Sequence, residues 1–170
     1  PGVLVDLKRL DEQLSRVWLD GDRLRIGALA THSDVASSTI VRQACPLLAD
    51  TAAEIADIQV RNRGTIGGSI AHADPAAELP ALVLCLGALI VAVSTRGERV
   101  IEAPDIFLGP FTTTLEADEM VTEIRFPKTT NSKTAFVEFS RRHGDFAIAG
   151  VGGTVAFEQD GEAVNEARFG

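Results

Sequence analysis

Residues 59–80 read QVRNRGTIGGSIAHADPAAELP. Its centre is Gly64-Thr65-Ile66-Gly67-Gly68-Ser69. The polar, glycine-rich run from Arg61 to Ser69 predicts a loop. Two consecutive glycines lack Cβ atoms, so the backbone there can turn sharply and lie close to a ligand. Successive N–H groups in such a turn form a concave site that suits phosphate oxygens. Thr65 and Ser69 bracket the glycines and can each add a hydroxyl donor. Taken alone, the motif fits a tight connection between helix and strand equally well. The two common nucleotide fingerprints, GxGxxG after a strand and GxxxxGK followed by Ser or Thr, are absent.

Downstream, His72-Ala-Asp74-Pro-Ala-Ala-Glu78 places two carboxylates four residues apart, on one face if the turn is helical. Asp74 reads as a helix N-cap, ahead of Pro75. Glu78 follows Gly68 by ten residues, where it can accept hydrogen bonds from a sugar or polyol; a solvated surface acid is the plainer alternative. For His72 a structural hydrogen bond is expected. Pro80 must begin or kink the helix that Leu82–Leu86 continues, because it lacks the interior N–H. Gly87 is a C-cap candidate.

Working outward, Val17-Trp-Leu19 and Leu24-Arg-Ile26 flank Asp20-Gly21-Asp22, a hairpin signal with alternating apolar residues. Thr31-His-Ser-Asp34 resembles an N-capping box, and Pro46 fits the first turn of a helix carrying Leu47, Leu48, Ala52, Ile55 and Ala56. Residues 88–94 and 99–101 pair across Arg96-Gly97 as a second hairpin, and Met120–Phe126 is a further strand. The opening run, residues 2–6, reads as a buried strand. PKTTNSK, residues 127–133, has linker composition, and strands follow over 135–139 and 151–157. Residues 1–127 therefore read as one domain and 128–170 as the opening of a second.

Composition narrows the function. The 170 residues carry 16 basic and 24 acidic side chains, a formal charge of −8. That balance argues against a phosphate-backbone partner, and with no Tyr and one Trp there is no base-stacking platform. Cys45 and Cys85 lie in apolar segments and read as buried thiols; without CxxC spacing they cannot supply the four thiolates of an iron–sulfur cluster. His32, His72 and His143 are too scattered for a metal site. The apolar run over residues 81–93 is broken by Gly87 and too short to span a bilayer. Nothing at the start resembles a signal peptide, so the cytoplasm is the expected compartment. The chain begins at Pro1 without an initiator Met, as a processed or excised piece would.

Val60-RNRGTIGGSIAHADPAAELPALV-Leu84 resembles the second glycine motif of the FAD-binding subunits of molybdenum hydroxylases. That family includes carbon monoxide dehydrogenase medium subunits, related aldehyde and aromatic hydroxylase subunits, and the FAD domain of xanthine dehydrogenase. The resemblance extends through Glu123-Ile-Arg-Phe-Pro127 and through residues 135–157, AFVEFSRRHGDFAIAGVGGTVAF. It implies an α+β fold, the second subdomain of a two-subdomain FAD-binding domain followed by the start of the C-terminal sheet. It also implies that Thr65, Ile66, Gly67, Gly68 and Ser69 contact the FAD pyrophosphate region and that Glu78 contacts an FAD hydroxyl. Ile55, Ala56 and Ile124 fall where relatives line the cofactor with apolar or backbone atoms. The family often has Asn at the position of Ser69, Asp at that of Glu78, and in some members a flavin-facing Lys at that of Val137. A first glycine loop of the type Ala-Gly-Gly-x-Ser lies outside the chain, which thus resembles a central fragment.

The implied function is electron transfer. Electrons from a molybdenum centre would pass through iron–sulfur clusters in partner chains to FAD, then to an external acceptor. Molybdopterin and clusters would reside in a large and a small partner subunit. No residue reads as a catalytic acid, base or nucleophile. The alternative is a flavin-free assembly or interaction module of the same family. Two interrupted domains predict exposed apolar area and self-association into a homo-oligomer.

Overall fold

The computed structural model describes residues 5–129, 132–158 and 163–170. The expected strand over residues 2–6 lies mostly outside them, and Val5 and Asp6 form none. A short helical turn, Lys8–Leu10, leads into α1 (Asp11–Leu14). β1 (Val17–Asp20) and β2 (Arg23–Gly27) then form a hairpin turned by Gly21 at φ +59°.

Six helices follow: α2 (His32–Ser37), α3 (Thr39–Ala44), α4 (Pro46–Glu54), α5 (Ile58–Arg61), α6 (Ile66–His72) and α7 (Glu78–Cys85). Thr31 caps α2 through a reciprocal capping box with Asp34, and Pro46 opens α4. The chain returns through β3 (Leu89–Ser94) and β4 (Gly97–Glu102), the short α8 (Ala103–Ile106), and a small ribbon of β5 (Phe107–Gly109) and β6 (Thr112–Thr113). β7 (Met120–Pro127) inserts between β2 and β3, completing an antiparallel sheet in the order β1-β2-β7-β3-β4.

One face of this sheet is the core. Ile26, Ile124, Ile90 and Ile101 form a row across four strands, with Leu24 and Phe126 beside them, all buried under the helices. Burying each such side chain contributes about 1.5–3 kcal/mol. The other face carries charge. Arg25 makes a bidentate pair with Glu123 at 2.7 and 2.9 Å, bonds Asp20 at 2.8 Å and stacks 5.1 Å from the Trp18 ring centroid. Arg25 and Glu123 are mostly buried, so the cost of desolvating them offsets much of their attraction and the apolar row dominates.

The last strands, β8 (Ser132–Phe139), β9 (Ala149–Phe157) and β10 (Val164–Phe169), form a separate sheet in the order β10-β9-β8. Its inner face lies on α7 and α4, and Phe136 joins the main core. The segment before it is shorter and better anchored than linker composition predicts: β8 begins at Ser132, and the buried Thr129 donates its N–H to the Ala44 carbonyl. Thr130 and Asn131 lie outside the described residues. The outer face leaves Val137, Phe139, Val151, Phe157, Val164 and Phe169 exposed.

The loop expected over Arg61–Ser69 is confined to residues 62–65. α5 ends at Arg61 and α6 begins at Ile66, so Gly67 and Gly68 sit in a first helical turn instead of a sharp loop. Ile66 and Ile70, four residues apart, both point into the core. Asp74 is also placed differently. Its side chain accepts from the Ala76 N–H in a local turn, and Ala77 is the N-cap of α7, so Asp74 does not cap that helix.

Candidate functional site

A cleft of about 880 Å³ opens between α6, the α4–α5 turn and the β8–β9 loop. The first wall is the start of α6. Thr65, its N-cap, accepts from the Gly68 N–H at 3.1 Å, and Thr65 and Ser69 both line the cleft. Gly68 is exposed on the same wall. Gly67 faces the other way: a Cβ on it would lie 2.4 Å from the Ala28 Cβ.

The successive-amide anion site expected from the glycines is not free. The Ile66 N–H donates to Ala30 O at 3.0 Å, Gly67 to Ala28 O at 2.9 Å, and Ser69 to Thr65 O at 3.0 Å. What the motif offers a ligand is hydroxyls and the bare Cα of Gly68.

Glu78 forms the floor. It opens α7, only 9% exposed, and is therefore no solvated surface acid. Burial pushes its pKa up, its own backbone amide pulls it down, and nearby Glu138 and Asp74 raise it again. A carboxyl so placed can accept from a ligand hydroxyl, or donate to one when protonated. The opposite wall is Ile55, Ala56 and Asp57, with Val60 and Arg63 beyond. Ala56 adopts a left-handed φ of +45°.

Of the residues singled out from the sequence, Ile55, Ala56, Thr65, Gly68, Ser69 and Glu78 therefore converge on one cleft, which His72 and Asp74 also line. Ile66, Gly67 and Ile124 do not line it. Ile66 is in the core, Gly67 is pressed on Ala28, and Ile124 is wholly buried in the centre of β7. His72 makes a tilted ring contact with Phe111 at 5.2 Å, not the hydrogen bond expected.

The cleft also recruits residues that the sequence did not flag. His32, 6% exposed, lies at the back with its Nδ1 buried and unpartnered. Burial, then the nearby Arg61 charge, lowers its pKa to about 4, so it is neutral at ordinary pH. The β8–β9 loop brings His143, Gly144, Asp145 and Phe146 over the rim, and Phe146 is 70% exposed. No local signal marks these residues, since they reach the cleft only when the second sheet docks. A second hollow, about 620 Å³ between α4 and β8, has Glu54, Glu138 and Ser140 in its lining and shares only His143 with the cleft.

The size suits a cofactor-scale molecule. Paired hydroxyls at Thr65 and Ser69, open backbone at Gly68, a buried carboxyl at Glu78 and an exposed aromatic face at Phe146 fit one with phosphate, polyol and flat-ring parts.

Residues 1–129 match the profile of the FAD binding domain in molybdopterin dehydrogenase. The chain belongs to that family. It is 40% identical to the carbon monoxide dehydrogenase medium chain of Hydrogenophaga pseudoflava over 170 residues, 99% of this chain and 58% of that one. It is 41% identical to the 6-hydroxypseudooxynicotine dehydrogenase complex subunit alpha of Paenarthrobacter nicotinovorans, over 95% of this chain and 55% of that subunit. Among solved structures, carbon monoxide dehydrogenase from Hydrogenophaga pseudoflava lacking the Mo-pyranopterin moiety superposes with a TM-score of 0.88 at 39% identity, covering 93% of this chain and 55% of that one. Quinoline 2-oxidoreductase from Pseudomonas putida 86 gives 0.84 at 34% identity, covering 93% and 54%. The chain spans about half the length of the curated relatives it matches. This FAD-binding-domain family, with its α+β fold, is the one the glycine motif resembles.

Proposed function

We propose that the cleft holds FAD and that the protein is the FAD-carrying electron-transfer subunit of a molybdenum hydroxylase. The observation that carries this reading is the convergence of Thr65, Gly68, Ser69 and Glu78 on one cofactor-sized cleft. FAD, when bound, supplies the redox chemistry. The chain's own residues bind and orient it. Thr65 and Ser69 donate hydroxyl hydrogen bonds to phosphate oxygens, Gly68 admits them close to the backbone, and Glu78 holds a ligand hydroxyl. Phe146 offers a face to a flat ring and helps exclude water.

In this reading electrons arrive from iron–sulfur clusters in a small partner subunit, fed by a molybdenum-cofactor large subunit, and leave to an external acceptor. Residues 1–127 form the FAD-binding part and 128–170 open a C-terminal domain. The buried free thiols Cys45 and Cys85 suit a reducing compartment such as the cytoplasm. Among the described residues no helix is long and apolar enough to cross a membrane.

A second reading, a flavin-free interaction module of the same family, draws on the charge of the cleft. Asp57, Asp74, Glu78 and Asp145 line it against the single guanidinium of Arg63, an unwelcoming field for a pyrophosphate. Titrating the purified full-length protein with FAD, followed by flavin fluorescence quenching and absorption, separates the two. Saturable one-to-one binding supports the flavoprotein; no binding at micromolar FAD overturns it in favour of the module.

A further inference from the structure

We propose that Arg61, which does not itself line the cleft, is a positioning residue that fixes the α4–α5 turn as the seat on which the β8–β9 loop closes over the ligand. The inference rests on the flavin reading and extends it to how the cleft is shut.

The last carbonyls of a helix have no partners within it. Beyond the end of α4 at Glu54, the Ile55 and Ala56 carbonyls both accept from one nitrogen, Nη1 of Arg61, each at 2.7 Å. Such charge-assisted bonds are stronger than neutral ones. They hold a conformation that needs holding, because Ala56 at φ +45° carries a Cβ in the left-handed region.

The same carbonyl is the landing point of the loop. Gly144, at φ +84°, lies so close that a Cβ on it would be 3.1 Å from Ala56 O and 3.3 Å from Ala56 C. Two further contacts fasten the loop. His143 Nδ1 lies 3.4 Å from Glu54 Oε2, and the Ala147 N–H donates to Ala76 O at 3.4 Å. One of the three contacts therefore falls on the turn that Arg61 shapes and a second on the helix residue just before it, and the loop they hold carries His143, Asp145 and Phe146 into the cleft.

An ordinary helix cap would lower stability and leave a bound ligand alone. The test uses full-length protein with Arg61→Met, Arg61→Lys, Gly144→Ala and the Arg61→Met/Gly144→Ala double variant. FAD dissociation constants, visible circular dichroism of bound FAD and melting temperatures without FAD are measured for each. Arg61→Met and Gly144→Ala should each weaken FAD roughly tenfold and alter the dichroism, and Arg61→Lys should recover part of the loss. The double variant should be no worse than the weaker-binding single, because both act through Ala56. Unchanged affinity and dichroism with a lowered melting temperature would overturn the proposal, as would fully additive losses. Should Arg61→Met not fold, Arg61→Lys and Gly144→Ala carry the same test. A wild type that binds no FAD overturns the flavin reading and this inference together, whereas a binding wild type with unaltered variants overturns this inference alone.

Discussion

Gly67 lies against Ala28 with no room for a side chain: a Cβ on Gly67 would come within 2.4 Å of the Ala28 Cβ and 2.8 Å of its carbonyl oxygen. The adjacent Gly68 meets only the Thr65 hydroxyl oxygen, at 2.9 Å, and is otherwise open to the cleft. The two glycines thus do different work. Gly67→Ala should destabilise the protein by about 1–3 kcal/mol, the usual cost of overpacking, with or without FAD. Gly68→Val should cost less stability and abolish most FAD retention. Thr65→Ala should do some of each, losing a helix cap of about 1 kcal/mol and a ligand hydroxyl. Urea unfolding and FAD titration of the three variants read both effects; equal losses of stability at Gly67 and Gly68 with unchanged affinity would remove the motif from the site.

Glu78 holds its proton to higher pH in the fold than in the unfolded chain, because burial disfavours its charge. Its contribution is therefore lost as pH rises from the unfolded value near 4.5 through the raised one. Glu78→Gln should raise the melting temperature of the FAD-free protein at pH 7, with the gain vanishing on acidification below about pH 4. FAD affinity should fall modestly, since an amide oxygen still accepts from a hydroxyl. A variant less stable than wild type at pH 7 would show that the carboxylate is favourably paired.

His32 acts in the opposite sense. Its pKa falls from 6.5 to about 4 on folding, so the unfolded chain takes up the proton first. Stability is full above pH 6.5 and is lost as pH falls toward 4, by up to about 3 kcal/mol. Replacing the ring by an apolar one of similar shape, His32→Phe, should flatten stability against pH in this window. Denaturant midpoints at half-unit steps from pH 4 to 7 check it, and an unchanged slope would assign the acid sensitivity to other groups.

Val137, Phe139, Val151, Phe157, Val164 and Phe169 leave an apolar face on the β8–β9–β10 sheet. A patch of this kind on a free chain drives association. The 170-residue chain should sediment as concentration-dependent oligomers, and the Val137→Lys/Val151→Glu pair should shift it toward monomer. Monomeric wild type across a wide concentration range would refute this.

The hairpins were legible because Asp20-Gly21 and Arg96-Gly97 supply turn chemistry between alternating strands, and the α2 cap because Thr31 and Asp34 have capping-box spacing. The helix over the glycines was not, since glycine pairs mark turns more often than helices; the signal that was there is the Ile66–Ile70 spacing behind Thr65. Asp74 reads as a helix cap because Pro75 fits a helix start as well as the local turn that Asp74 makes with the Ala76 N–H. β7 was readable as a strand but not as the strand between β2 and β3, which depends on pairings about a hundred residues apart in sequence. Separation in sequence likewise hides His32 and Phe146, which lie tens of residues to either side of the glycines they join in the cleft.

Thr31 and Thr65, the caps of α2 and α6, form a β-bridge with each other. Around it His32 N–H donates to Gly64 O, Ile66 N–H to Ala30 O, and Gly67 N–H to Ala28 O. A glycine-rich segment left open to solvent would open locally and exchange its amide hydrogens readily. Here the Ile66 and Gly67 N–H groups are held by carbonyls of the chain that leaves β2, beside the buried Ile66 side chain, and should exchange slowly. Ile66 and Gly67 are thus braced by the protein's own backbone, so the wall that the motif presents to the cleft does not rely on a ligand for its shape.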